Sequence, residues 1–372
     1  METEQYIYHK SQWIKEPVLN ERVQLVTVFF SLEERNCNEL KRLKDYFPNA
    51  KIVGCSSAGD IAADQLFDDA MVITAFSFSN TRVAIYSDTV QETAMSEFCE
   101  SAASALQKPD LKWLLVISDG HVINGSDLAA HLNHSFDDNV IITGGLAGDG
   151  ERFSSTSLFN NQFLEEGAVI LCGFYSDTLK VSHASVGGWD PFGPKREITQ
   201  ANGNRLYALD GEPAITLYKQ YLGPYANDLP ASALRFPLQV THPETGRKVI
   251  RTILDIDYED NSMVFAGDMP HQGYAQLMKA NFDRLVDGAG TAVMKSLESA
   301  HGESGVALLI SCVGRKLVLG PRVEEELEAI TTKLASGFKC MGFYSYGELA
   351  PDVHGGPCLL HNQTMTVTLV SE

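Results

Sequence analysis

The chain has 372 residues, 44% of them hydrophobic and 21% charged, with a formal net charge of −19. That length exceeds what one hydrophobic core usually fills, so two domains or a duplicated one are expected. The acidic balance argues against a surface for duplex nucleic acid or anionic lipid, both of which call for Lys and Arg against phosphate. No apolar run approaches the roughly 20 residues of a membrane helix. Residues 1–13 carry no apolar signal region, so the expectation is a cytoplasmic protein. The seven cysteines are scattered, with no Cys-x-x-Cys pair. That suits reduced thiols better than a disulfide frame or a zinc site, and Cys172 and Cys312, inside apolar runs, read as core residues.

In chain order, residues 23–30 read as a buried strand. Residues 32–47 read as a helix with Leu40, Leu43 and Phe47 on one face. Residues 51–53 lead into Gly54-Cys55-Ser56-Ser57-Ala58-Gly59-Asp60-Ile61, and 71–78 read as another strand. The same order then returns. Residues 113–118 are a strand, and 126–133 a helix capped by Ser126 or Asp127. Residues 140–142 enter Thr143-Gly144-Gly145-Leu146-Ala147-Gly148-Asp149, and 167–174 close as a strand. It returns once more with a strand at 306–311 and a helix from Pro321 through Glu328, ended by Gly337. Gly342-Phe343-Tyr344-Ser345-Tyr346-Gly347-Glu348-Leu349 and a strand at 363–370 come next. The first and last turns fit Gly-x-x-Ser-x-Gly-acid-aliphatic; the middle one keeps only the second glycine and the acid.

Strand, helix, strand implies a crossover with a parallel pair. The closing strands alternate more and are expected to be antiparallel. The fold class is therefore α/β, with mixed sheets built from repeated strand-helix-strand units. Residues 187–304 do not fit the unit. Gly187-Gly188-Trp189-Asp190-Pro191-Phe192-Gly193-Pro194 reads as a rigid aromatic loop, and 212–222 as a helix. Residues 236–240, 249–256 and 262–266 read as a meander. Residues 274–297 read as mostly helical, interrupted at Gly288 and Gly290. Turn formers at Leu222-Gly223-Pro224-Tyr225 place a boundary there, giving domains 20–222 and 223–372.

In α/β folds ligands sit beyond the carboxyl ends of parallel strands. A glycine there lets backbone N–H groups approach a ligand, and a neighbouring carboxylate can accept from an amine or hydroxyl. Gly59, Asp60, Gly148, Asp149 and Glu348 are candidate ligand contacts on that ground; left-handed turns with solvated acids are the alternative. Trp189, Phe192 and Tyr346 offer flat apolar surface, either for a pocket or for loop packing. The serines do not form a nucleophile elbow, which needs glycine two before and two after; Ser57 has Cys55 and Ser345 has Phe343. Gly288-Ala289-Gly290 lacks the third glycine of a dinucleotide fingerprint. Ala266-Gly267-Asp268 repeats the glycine-acid pair but is expected to precede a helix. His131 and His134 have metal spacing without further ligands, and read as an exposed polar helix face. Were a haem bound, His183, His361 and His121 are the candidate axial ligands.

These segments together resemble the FIST family. The resemblance rests on 53–60, Ile117-Ser118-Asp119-Gly120, 144–150, 188–194, Leu209-Asp210-Gly211-Glu212-Pro213-Ala214, 342–348 and His361-Asn362-Gln363-Thr364, and spans about 20–370. It implies an N-terminal and a C-terminal FIST domain and ligand sensing in signal transduction rather than catalysis. One branch of that family, the stand-alone nitric-oxide-sensing NosP haemoproteins, implies haem b, a partner histidine kinase and cyclic-di-GMP or biofilm output, with a homodimer among the possible assemblies. Two alternatives stay open: a FIST sensor of a small polar metabolite such as an amino acid, without haem, and an enzyme using an acid pair at the same turns.

Overall fold

In the computed structural model, the described residues are 1–90, 94–299 and 302–372. The first unit runs β1 (Glu2–His9), β2 (Gln12–Lys15), β3 (Leu25–Phe30), α1 (Glu34–Lys41), α2 (Leu43–Tyr46), β4 (Lys51–Ser56), β5 (Asp60–Ala62), β6 (Gln65–Phe67) and β7 (Ala70–Ser77). The second runs β8 (Arg82–Thr89), α3 (Met95–Leu106), β9 (Leu111–Ser118), α4 (Gly125–Ser135), β10 (Ile141–Leu146), β11 (Leu158–Asn160) and β12 (Ala168–Tyr175). After β13 (Lys180–Val186) comes an insertion: β14 (Asp190–Asn202), β15 (Arg205–Leu209), β16 (Glu212–Pro213), α5 (Ala214–Leu222), β17 (Leu238–Thr241), β18 (Lys248–Arg251), β19 (Ile253–Asp257), β20 (Ser262–Phe265) and β21 (Tyr274–Lys279). The third unit resumes with α6 (Phe282–Ser299), β22 (Ser304–Cys312), α7 (Val313–Leu319), α8 (Val323–Thr331), β23 (Gly337–Ser345), β24 (Gly347–Pro351), β25 (Cys358–His361) and β26 (Met365–Ser371).

The repeat is real and has one register. In each unit the strand before the helix and the strand after it pair in parallel, as β3 with β4, β9 with β10 and β22 with β23. The closing strands β7, β12 and β26 pair antiparallel on the other side. Gly54, Gly144 and Gly342 occupy the same rung, opposite Val28, Val116 and Leu309. Sequence pattern does not reveal where the chain goes after each turn. The next strand leaves its own unit: β5 pairs with β23, β11 with β4, and β24 with β10. Each unit thus lends a strand to a neighbour, and the lending closes into a cycle of three. The resulting six-stranded sheets are β11-β4-β3-β7-β1-β2, β25-β24-β10-β9-β12-β8 and β13-β26-β22-β23-β5-β6.

The three sheets face one another as the sides of a prism. The same alternate positions of the first strands point inward: Leu25 and Phe29, Trp113, Leu115 and Ile117, and Val306, Leu308 and Ile310 share one buried cluster. The opposite faces bury against each unit's helices, which is why these strands are mostly apolar on both faces rather than alternating. Val26 and Val28 meet Leu40, Leu43 and Phe47, and Leu114 and Val116 meet Phe98, Leu128 and Leu132. Leu309 meets Ala292, Val293 and Leu327. A fourth, eight-stranded sheet is built wholly from the insertion and has its own core.

Several local expectations are corrected. Asn124, not Ser126 or Asp127, caps α4: its side chain accepts from both of their N–H groups. The helix expected from Pro321 is α8, which starts at Val323; α7, before it, was not expected and ends at Gly320, whose φ is +54°; Gly337 opens β23 instead of closing a helix. The aromatic loop ends at Trp189, and Asp190 begins a thirteen-residue strand. Residues 274–279 are a strand, held antiparallel by both β14 and β17. The helix beyond passes through Gly288 and Gly290 unbroken. Both glycines serve packing: a Cβ on Gly288 would meet Gly187 O at 3.2 Å, and one on Gly290 would meet Lys333 Nζ at 2.4 Å. No helix follows Asp268; loop and β21 do.

The first glycine of the motif has a steric cause. A Cβ at Gly54, Gly144 or Gly342 would stand 1.7, 1.9 or 1.8 Å from the carbonyl oxygen of Val28, Val116 or Leu309. No backbone shift absorbs that without breaking the ladder. Gly144→Ala is therefore expected to cost on the order of 3 kcal/mol or more. Urea unfolding of the variant beside the parent checks it, and a loss under about 0.5 kcal/mol would refute the steric reading.

Candidate functional site

The three turns converge. Ala58 N–H donates to Tyr344 O (2.8 Å), Tyr346 N–H to Leu146 O (3.2 Å), and Gly148 N–H to Ser56 O (3.0 Å). By register, 58, 148 and 346 are equivalent positions, as are 56, 146 and 344. Each unit therefore donates the same bond to the next. The three donor residues meet side by side: a Cβ on Gly148 would lie 3.0 Å from Ala58 N and 3.3 Å from Tyr346 Cε1. One large ring and two small residues fill the axis. Phe153 stacks over Tyr346 from outside, with centroids 4.7 Å apart.

The motif's serine and acid turn out to be partners. Ser57 Oγ donates to Asp60 Oδ1 at 2.5 Å, and Ser345 Oγ donates to Glu348 Oε1 at 2.9 Å. Glu348 also accepts from Thr364 N–H (3.1 Å) and Thr364 Oγ (2.7 Å). Asp60 and Glu348 are both 0% exposed. Burial pushes the Asp60 carboxyl up to about 8, against the Ser57 hydrogen bond and the charge of Lys316. Burial likewise pushes Glu348 up to about 8, against Thr364 and Ser345. Asp149 sits one position earlier than these acids and does different work. It accepts from the N–H groups of Phe153, Ser154 and Ser155, from Ser154 Oγ and from the Tyr346 hydroxyl. Burial raises this carboxyl, but the Tyr346 hydroxyl and those N–H groups outweigh it and hold it at about 2.

None of the three acids offers solvent a free carboxylate in this conformation. Ser57 and Ser345 donate to buried carboxyl groups that keep their protons at neutral pH, so neither has a base poised to activate it. Some buried acceptors lack a donor: Asp60 Oδ2, Asn362 Oδ1 and Gln363 Oε1. Trp189 reaches this region indirectly, its Nε1–H donating to Gln363 O at 2.9 Å, and packs in the cluster that holds Ala58 and Tyr344. Phe192 does not; it packs on the insertion's core near Phe236.

The histidines divide. His121 is exposed on the turn after β9. His361 is buried, its Nε2 3.0 Å from Ala350 O; burial lowers it to about 4, Arg251 adding to that against the Ala350 contact. His183 has both ring nitrogens buried without a hydrogen-bond partner. Burial lowers it to about 4, with His354, 6.3 Å away ring to ring, and His361 adding. Among the described residues, no three His, Cys, Asp or Glu side chains stand in a metal-holding group.

Sequence reasoning missed the charged residues that brace this site. Arg315, fully buried, pairs with buried Glu326 at 2.8 Å and donates to Gly187 O and Leu285 O. Tyr344 hydroxyl and Ser311 Oγ complete Glu326. Lys316 donates to Ala58 O (2.7 Å) and Asp68 (2.5 Å), clamping the first turn. Arg251, also buried, donates to Asp268 O and Leu360 O, pinning the insertion to β25. The signal was present as basic residues inside apolar stretches, but local pattern could not supply their partners.

Fold and site define a pseudo-threefold mixed α/β module whose three units are joined through their shared turns. The chain belongs to the FIST family: the FIST N domain matches residues 24–212 and the FIST C domain residues 214–351. FIST domains are associated with sensing small ligands in signal transduction. The chain is also similar to an uncharacterised protein of Methanocaldococcus jannaschii, with 23% identity over 369 residues, covering 88% of this chain and 70% of that protein. The two matched segments do not correspond to separate sheets, since the second and third sheets each draw strands from both. No described helix is long and apolar enough to cross a membrane.

The buried acids give a signed pH dependence. Between about pH 4 and 8 the folded state holds protons on Asp60 and Glu348 that the unfolded chain has released. Their contribution is full below the unfolded pKa and is lost as pH rises through about 8. Neutral His183 and His361 act only below about pH 6.5, where falling pH favours the unfolded chain. Melting temperature should therefore fall from pH 7 to pH 9, and Asp60→Asn should flatten that fall. An unchanged slope in the variant, measured by scanning calorimetry, would show that Asp60 is ionised throughout.

Proposed function

We propose that the protein is a small-ligand sensor that passes its state to a separate partner. The carrying observation is the cycle of exchanged strands. Each turn begins in one sheet and ends as a strand of another, so displacing one turn moves two sheets at once. Sensing requires a ligand that prefers one of two arrangements. In this reading the exchanged turns are the elements that move, because each is joined to its neighbour by a few ring hydrogen bonds and one strand of three to five residues.

The ligand we favour is a small polar metabolite. The haem reading rests on one observation, the unpartnered nitrogens of His183. Neither of the two cavities that follow has His183 in its lining. The apolar cavity inside the prism, lined by Thr27, Trp113 and Met341 among others, holds about 10 Å³. A cleft of about 330 Å³ at the surface has no histidine in its lining. The partner class, a histidine kinase, is carried over from the family resemblance, and a homodimer is compatible with it.

One measurement separates the readings. The purified protein is incubated with hemin, with and without nitric oxide, and separately with a panel of small amines, amino acids and organic acids. The expectation is a raised melting temperature with a panel member and no specific Soret band. A stoichiometric Soret band that shifts with nitric oxide and disappears in His183→Ala would overturn the metabolite reading in favour of haem.

A further inference from the structure

The surface cleft of about 330 Å³ lies at the seam where β1 of the first sheet meets β23 of the third. Its size is that of a small-ligand site. Gln5 from β1, Asp64 from the tip of the β5–β6 hairpin, Leu334 from the segment after α8, and Phe338, Lys339 and Cys340 from β23 line it.

The charge of the cleft is uneven. Asp64 is exposed and takes no ion pair or hydrogen bond among the described residues. The carboxyl end of α8 lies beside the cleft and carries the negative end of the helix dipole; its Glu328 and Ile330 carbonyls are already taken by hydrogen bonds from Thr331, Thr332, Lys333 and Leu334. Lys339 is the one cation in the lining, and its ammonium is turned away to the carbonyl of Thr3. Cys340 is no competitor for chemistry, because burial pushes its thiol up to about 12, with Asp64 adding. Leu334 and Phe338 supply an apolar wall. An acid and a helix carboxyl end beside an apolar wall select a cation on a short hydrocarbon body.

We propose that this cleft binds a primary ammonium group carried on a short aliphatic chain, with Asp64 as its counter-charge. The proposal rests on the small-ligand reading above and gives it a site. It also gives a route to the turns. Cys340 O accepts from both Gln5 Nε2 (2.7 Å) and Ala63 N–H (3.2 Å), so the floor of the cleft clamps β1 and the end of β5 together. The other end of β5 is Asp60, in the ring of turns. A cation drawn to Asp64 loads the hairpin whose far end is the exchanged turn.

The test uses three probes on the full chain: 1,4-diaminobutane, 4-aminobutyrate and butyrate, titrated by calorimetry. Both ammonium probes are expected to bind, the first as a free amine and the second as the amine of a zwitterion. Butyrate should not bind. Asp64→Asn, at an exposed hairpin tip, should leave the melting temperature unchanged without probe and weaken ammonium binding at least tenfold. If wild type and Asp64→Asn bind alike, the cleft is the wrong site while the sensor reading stands. Butyrate binding as well as the amines would overturn the ammonium class. If no probe binds wild type the proposal fails, and the hemin and metabolite measurement then decides the sensor reading independently.

Discussion

Three hydrogen bonds, from Ala58, Gly148 and Tyr346 to the carbonyls of Tyr344, Ser56 and Leu146, hold the structure together at its axis. They are short-range in space and very long-range in sequence. Once they form, each sheet gains an edge strand from a neighbour, and an edge that would otherwise be open is paired. The three inner faces then close on a single core, and the helices are left to cover the outer faces. The ring tolerates one large residue because the other two positions are small; Tyr346 occupies the space that Ala58 and Gly148 leave.

The recurring pattern is explained by that ring. Its first glycine permits strands to approach so closely that a methyl group would overlap a carbonyl oxygen. Its serine donates to its acid, and its acid is buried where the ring excludes water. An isolated buried carboxylate is costly, and the group responds by holding its proton. The contrast is the Arg315–Glu326 pair, also buried, where both charges find partners: two bonds between them, two carbonyls for the guanidinium, two hydroxyls for the carboxylate. Such a pair is expensive to break from one side and does little for net stability. Here it fixes α7 and α8 against the strand that carries the third turn.

For a sensor, this construction has a consequence. A packed core resists continuous deformation, so a small displacement at the rim is either refused or passed on whole. The β5–β6 hairpin carries a solvent-facing acid at its tip and a buried acid at its root; in the exchanged β24–β25 hairpin the matching exposed acid, Asp352, is paired with Arg247 at 3.7 Å. FIST domains are associated with sensing small ligands, and in the proposal made above this hairpin is the segment that carries the message inward.

Much of the architecture could be read from residues. The largely apolar runs at 23–30, 113–118 and 306–311, the helical faces after them and the glycine-acid turns are local patterns, and local sterics require them. The parallel pairing followed from the helix between each pair of strands, and the antiparallel closure was expected from the alternation of the closing strands. The insertion was read less well: Tyr274–Lys279 and Asp190–Asn202 became strands because β14, β15, β17 and β21 pair with one another, and pairing outranks the modest propensities of those segments. The repeated acids were legible as a motif, and their convergence was raised by the repetition itself. Their burial was not, since one carboxylate in a glycine turn looks the same whether water or a serine faces it. The sequence by itself determined a unit and its threefold recurrence, because periodicity and steric demand act between neighbours in the chain. Only the tertiary structure decided that each unit hands its next strand to another, because a strand's edge bonds carry no address and the choice is made by which core closes best around all three.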